Sequence, residues 1–163
     1  MRPNREFLFK HPAHFLALGF GAGLAPKAPG TWGTLVALPF FFTANFFGGQ
    51  WAVLVAAAFF FVVGIWAADI TGRALGVPDH GGIVVDEIAA FLLVLAFAPF
   101  SIMGVAVAFL LFRVFDIIKP WPINVADRRI KGGFGVMFDD LLAAIYTIIG
   151  LWFLRIIVEG VNL

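Results

Sequence analysis

The chain has 163 residues, of which 62% are hydrophobic and only 13% charged, with a formal net charge of +1 and a mean hydropathy of +1.00. That length fits one domain, and the hydropathy sets the chain among membrane proteins rather than soluble ones. A near-neutral balance gives no basic field, so no nucleic-acid partner is expected, and the lack of cysteine excludes disulfide frameworks and thiolate metal sites.

The N-terminus, MRPNREFLFKHPAHFLALGF, begins with basic residues but lacks an apolar core followed by a small-residue cleavage site. No removable signal peptide is expected. Residues 7–20 mix Phe, Leu and Ala with Lys10, His11 and His14, which suits a helix lying in the membrane interface. The next stretch, GFGAGLAPKAPGTWGT, reads as a Gly/Pro loop. Two apolar runs follow, Leu35 to Phe47 and Trp51 to Ala68, parted by Gly48-Gly49. A polar segment, Asp69 to Gly82, precedes the runs Ile88 to Ala98 and Ile102 to Leu111, which Pro99 divides. Leu141 to Leu154 forms the last run. The pattern predicts no strands. It predicts an all-α polytopic membrane bundle of about five embedded helices plus an N-terminal interfacial helix. One domain is expected over 1–163, with the interfacial helix and loop in 1–30 and the bundle in 31–163.

Charge placement orients this bundle. With Arg2, Arg5 and Lys10 on the cytoplasmic side, five crossings put Gly48-Gly49-Gln50 and Ala98-Pro99-Phe100 outside, where there is no charge. The loops carrying Lys27, Arg73 to Glu87 and Arg113 to Asp140 then all fall inside. Trp32, Trp51, Trp121 and Trp152 suit interfacial belts.

The window from Phe112 to Ala143 gathers Arg113, Asp116, Lys119, Asp127, Arg128, Arg129, Lys131, Asp139 and Asp140 between apolar flanks. Asp86-Glu87 opens another apolar run and reads as a companion site. Acids at helix starts commonly cap free N–H groups, and that plainer reading covers either pair alone. It does not explain why acids recur on one face, with Asp116 three residues after Arg113 on one side of a helix. Carboxylates with few histidines make an oxygen-ligand site suited to Mg²⁺ or Mn²⁺. Asp79, Asp69 and Asp127 are further candidates, the last two more readily explained as solvated helix ends. Arg113 can grip a phosphate with two prongs and Lys119 as a point charge. Gly30-Thr31 and Gly132 to Gly135 permit close backbone approach to an anion, although simple loop geometry explains them as well. Arg128, Arg129 and Lys131 suit an anionic leaflet.

The strings APGTWGT, DHGGIVVDE, FRVFDIIKPWPI and GGFGVMFDD, in that order, resemble the signature blocks of the phosphatidylglycerophosphatase A family. The resemblance runs from about residue 11 to the end of the last helix. It implies an all-helical enzyme of the bacterial inner membrane, for which the charge placement above predicts a multi-pass topology with the active site on the cytoplasmic face. It also implies a Mg²⁺-dependent reaction, in which Mn²⁺ can substitute, converting phosphatidylglycerol phosphate into phosphatidylglycerol. On this likeness Asp86, Glu87, Asp116, Asp139 and Asp140 are the expected metal ligands, and Arg113 and Lys119 complete the catalytic set. Lys27, Gly30, Thr31, Asp79 and His80 join Arg113 and Lys119 as expected substrate contacts. The alternative is a small ion-coupled transporter that uses the acids as an ion site.

Overall fold

A computed structural model describes residues 2–161, with side chains through residue 158. Met1, Asn162 and Leu163, the ends of the expected domain, lie outside the described residues. Every regular element described is helical: α1 Arg5–Lys10, α2 Pro12–Ala17, a 3₁₀ turn Gly19–Leu24, α3 Pro29–Leu75, α4 Val85–Phe97, α5 Ile102–Ile118, α6 Ile123–Arg129 and α7 Gly132–Val161.

Local chemistry accounts for the boundaries. Asn4 caps α1 by accepting from the Phe7 N–H, and His11 caps α2 ahead of Pro12 at its first position. The single interfacial helix expected over 7–20 is therefore two short helices hinged at His11. The Gly/Pro loop is also shorter than expected. Helix α3 starts at Pro29, where proline's missing N–H costs nothing, so Gly30 and Thr31 sit in its first turn. The two apolar runs that follow form one long element broken at Gly48 and Gly49, where Gly49 has φ +59°. Ser101 caps α5 through the Gly104 N–H.

Helix α4 is the hub. Nearly all of its residues from Val85 to Leu95 are buried, and it packs chiefly on α3, then on α7. The facing stripe of α3, Gly30, Gly33, Thr34, Ala37 and Phe41, recurs at helical spacing and is small at its start. Small residues let helices approach closely where lipid removes the usual hydrophobic drive between them. Among the described residues, two helices, Pro29–Leu75 and Gly132–Val158, are long and apolar enough to cross a bilayer. Large side chains stand exposed around the Gly48 end, Phe46 at 83%, Phe47 at 80% and Trp51 at 77%. Such a fringe suits lipid and not water.

Helix directions bring the charged residues together. The first half of α3 and all of α4 run away from Gly30 and Asp86, while α5 returns to end at Asp116 and Lys119. Phe100, between α4 and α5, meets Phe41 and Phe42 of α3 at 5.9 and 6.5 Å, fixing the opposite end.

Candidate active site

Three elements supply one cluster of acids. Asp86 and Glu87 lie in the first turn of α4, Asp116 in the last turn of α5, and Asp139 and Asp140 about two turns inside α7. The last pair was expected at a helix start. Because α7 begins at Gly132, those two acids are not its caps, and the Gly132 to Gly135 run is a helical turn rather than an anion-binding loop. All five side chains are buried, each 9% exposed or less.

Asp86, Glu87 and Asp140 each direct a carboxylate oxygen into one space, with those atoms within 4.8 Å of one another. One oxygen of each, Asp86 Oδ1, Glu87 Oε2 and Asp140 Oδ2, is buried without a hydrogen-bond partner. Arg113 is the cation of this group. Its Nη1 donates to Asp116 Oδ2 at 2.7 Å and stands 3.7 Å from Glu87 Oε1. Four buried carboxyl groups thus share one guanidinium. Burying unpaired carboxylates costs several kcal/mol each, so the set is suited to a further positive charge. An all-oxygen donor set is the kind that Mg²⁺ or Mn²⁺ takes.

Asp139 points elsewhere. Lys119 donates to Asp139 and, at 2.9 Å, to Asp127 Oδ1. Burial disfavours the ammonium, but the bonds to the two carboxylates outweigh it and raise the Lys119 pKa above the ordinary lysine value. Lys119 caps α5 in the left-handed conformation, which turns it toward α6 and α7. Both carboxylates already occupy it, unlike the free phosphate-facing charge that its spacing suggested.

Gly30 explains how α3 joins the site. A Cβ there would sit 2.2 Å from Glu87 Oε1 and 3.2 Å from both terminal nitrogens of Arg113. Only glycine lets these groups reach the helix. Thr34, one turn on, accepts from Arg113 Nη1 at 3.3 Å while donating to the Gly30 carbonyl. The sequence did not single out Thr34, and its spacing from Gly30 was the available signal. Asp127 was read as a solvated helix end, yet it is half-buried on Lys119.

The remaining candidates lie at the rim. Lys27 is exposed in the turn before α3, and Thr31 is half-buried in its first turn. Asp79 is exposed and His80 half-buried in the segment joining α3 to α4. Asp69 pairs with Arg73 at 2.8 Å, away from the triad.

The family model described as phosphatidylglycerophosphatase A matches residues 15–155. A phosphatidylglycerophosphatase A of Haemophilus influenzae is 42% identical over 90% of this chain and 91% of its own. One from Escherichia coli is 39% identical over 84% of this chain and 80% of its own. A Bacteroides thetaiotaomicron relative, provisionally named a phosphatidylinositol-3-phosphatase, is 36% identical over 82% of this chain and 87% of its own. No solved structure shows significant similarity. These relatives, with two helices able to cross a bilayer, make this a membrane protein. The chain belongs to the phosphatidylglycerophosphatase A family and is a phosphoric monoester hydrolase.

Proposed function

We propose that the protein hydrolyses the terminal phosphate monoester of phosphatidylglycerol phosphate, releasing phosphatidylglycerol and inorganic phosphate, with Mg²⁺ or Mn²⁺ held by Asp86, Glu87 and Asp140. The observation that carries this reading is the trio of buried carboxylate oxygens left without partners in a chain of this family. A lipid phosphate monoester is also common to the names of all three relatives.

Water adds to phosphorus, the bond from phosphorus to the glycerol oxygen breaks, and that oxygen takes up a proton. A bound divalent cation would supply charge neutralisation and a more acidic water. Arg113 serves the phosphoryl oxygens from its place between Asp116, Glu87 and Thr34. Asp116 holds Arg113 in position. Lys119, clasped by Asp127 and Asp139, fixes the α5–α6 turn against α7 and sets the charge beside the triad.

The whole chain acts as one domain crossing the bacterial inner membrane five times, with this site on the cytoplasmic side. The two parts of α3 on either side of Gly48-Gly49 count as separate crossings. An ion-coupled transporter is not favoured, because carriers place acids in mid-helix along a path, whereas these gather at one end of the bundle.

The test is phosphate release from phosphatidylglycerol phosphate in detergent. Activity should vanish in EDTA and return with Mg²⁺ or Mn²⁺. Undiminished turnover in chelator removes the metal from the reading.

A further inference from the structure

Beside the acid cluster lie two cavities that its chemistry does not use. One, about 270 Å³, has a mixed polar and apolar lining that includes Arg2, Gly23, Ala25, Pro29, His80 and Gly82. The second, about 370 Å³, is an apolar groove lined by Ala25, Trp32, Leu35, Val36 and Pro39 among others. Pro29 adjoins Gly30, against which Glu87 and Arg113 rest, and Ala25 lines both cavities. Ala25 therefore joins the two cavities, and Pro29 sets the first beside the start of α3.

We propose that the pocket beneath Pro29 binds the inner phosphodiester of the lipid substrate, and that the adjoining groove takes the start of an acyl chain. This rests on the lipid-phosphatase reading above and names how the rest of the lipid is held. The charge pattern supports it. Among the described residues no carboxylate lines the pocket, whereas Lys119 is already committed to Asp127 and Asp139. Arg2 has no acidic partner among the described residues and is free to meet a diester's single negative charge. His80 Nδ1 accepts the Gly82 N–H at 3.0 Å, which leaves Nε2 as a second donor.

The floor is built rather than incidental. A Cβ on Gly23 would fall 1.9 Å from the Gly82 carbonyl oxygen, and one on Gly82 would fall 3.0 Å from that of Gly23. The two backbones press together there, and side chains at either position would force them apart.

The test uses the full chain with Arg2→Ala and His80→Asn combined; asparagine keeps an acceptor for Gly82 and removes the Nε2 donor. Three constants are measured: KM for phosphatidylglycerol phosphate, and inhibition constants for phosphatidylglycerol and for inorganic phosphate. Phosphatidylglycerol carries the diester without the monoester, and inorganic phosphate reports on the acid site alone. We expect the first two to rise together by roughly fivefold or more while the phosphate constant moves less than about twofold. Ala25→Phe should raise KM at least ~threefold for long-chain lipid relative to a short-chain one. Unchanged lipid constants in the double variant, or all three constants rising together, overturn the pocket. Unaltered chain-length preference in Ala25→Phe overturns the groove. A wild-type protein inactive on the lipid would instead remove the function on which both rest.

Discussion

Neighbouring residues with the same chemistry have been given different work. Asp139 and Asp140 are adjacent, and about 100° of helix separates their side chains. Asp140 therefore faces Asp86 and Glu87 while Asp139 meets Lys119. Asp140→Asn should reduce turnover to background, because its orphaned oxygen belongs to the triad. Asp139→Asn should cost ~10–100-fold, the usual effect of disturbing a group that supports the site from behind. Equal losses in steady-state kinetics would mean that the pair is not divided this way. Gly30 offers a sharper contrast. Alanine is the better helix former by up to ~1 kcal/mol, so Gly30→Ala should stabilise an indifferent position. A methyl 2.2 Å from Glu87 Oε1 must instead push the carboxylate away. The expected result is at least a tenfold loss in kcat/KM, ~1.4 kcal/mol, with Mg²⁺ needed at higher concentration. Wild-type kinetics would show that α3 does not shape the site. The sequence made Asp86-Glu87 and Asp140 legible because they interrupt or border apolar runs. It could not divide Asp139 from Asp140, nor reveal Asp127 as the partner of Lys119, because both depend on how α5, α6 and α7 pack.

Among the elements, α2 shows how the N-terminal segment is tied to the bundle. His14 is buried, stacks on Phe7 with centroids 4.1 Å apart, and shares a 3.0 Å hydrogen bond with Thr71 of α3. Burial, with nearby His11 adding to it, lowers the His14 pKa below 6.5. The unfolded chain therefore binds the proton first as pH falls, and the folded state loses stability below pH 6.5. The loss levels off once pH passes beneath the folded pKa. Above pH 6.5 this contribution is present in full. The apparent melting temperature in detergent should thus fall on acidification from pH 7 to pH 5 more steeply in the wild type than in His14→Gln, which cannot titrate. Parallel curves would show that His14 charges without cost. Sequence alone read this segment as one helix because its apolar periodicity runs through His11. What divides it is His11 capping the next helix ahead of Pro12, a local backbone event that periodicity does not register.

At the scale of the whole molecule, the all-helical class was readable from the long apolar runs, but the positions of the helix ends were not. The run lengths treat Gly48-Gly49 and Pro99 as equivalent outer turns. In the fold they differ in depth. Phe100 packs on Phe41 and Phe42, some six residues short of Gly48, or roughly 10 Å along α3. Helix α4, with 13 residues, covers only ~20 Å of a ~30 Å hydrocarbon core. The α4–α5 turn should therefore be recessed, with the Gly48 turn standing proud of it. Because the chain has no cysteine, single substitutions report depth and side without background. Gln50→Cys should react quickly with a membrane-impermeant maleimide added outside intact spheroplasts. Ile102→Cys, although 93% exposed in the isolated chain, should react slowly from that side. Arg129→Cys, at the end of α6 near Lys119, should react only after the membrane is opened. Rapid labelling at 129 in intact spheroplasts would invert the orientation and put the acids outside. Equal rates at 50 and 102 would place both turns at one depth and require the bilayer to thin around the short α4.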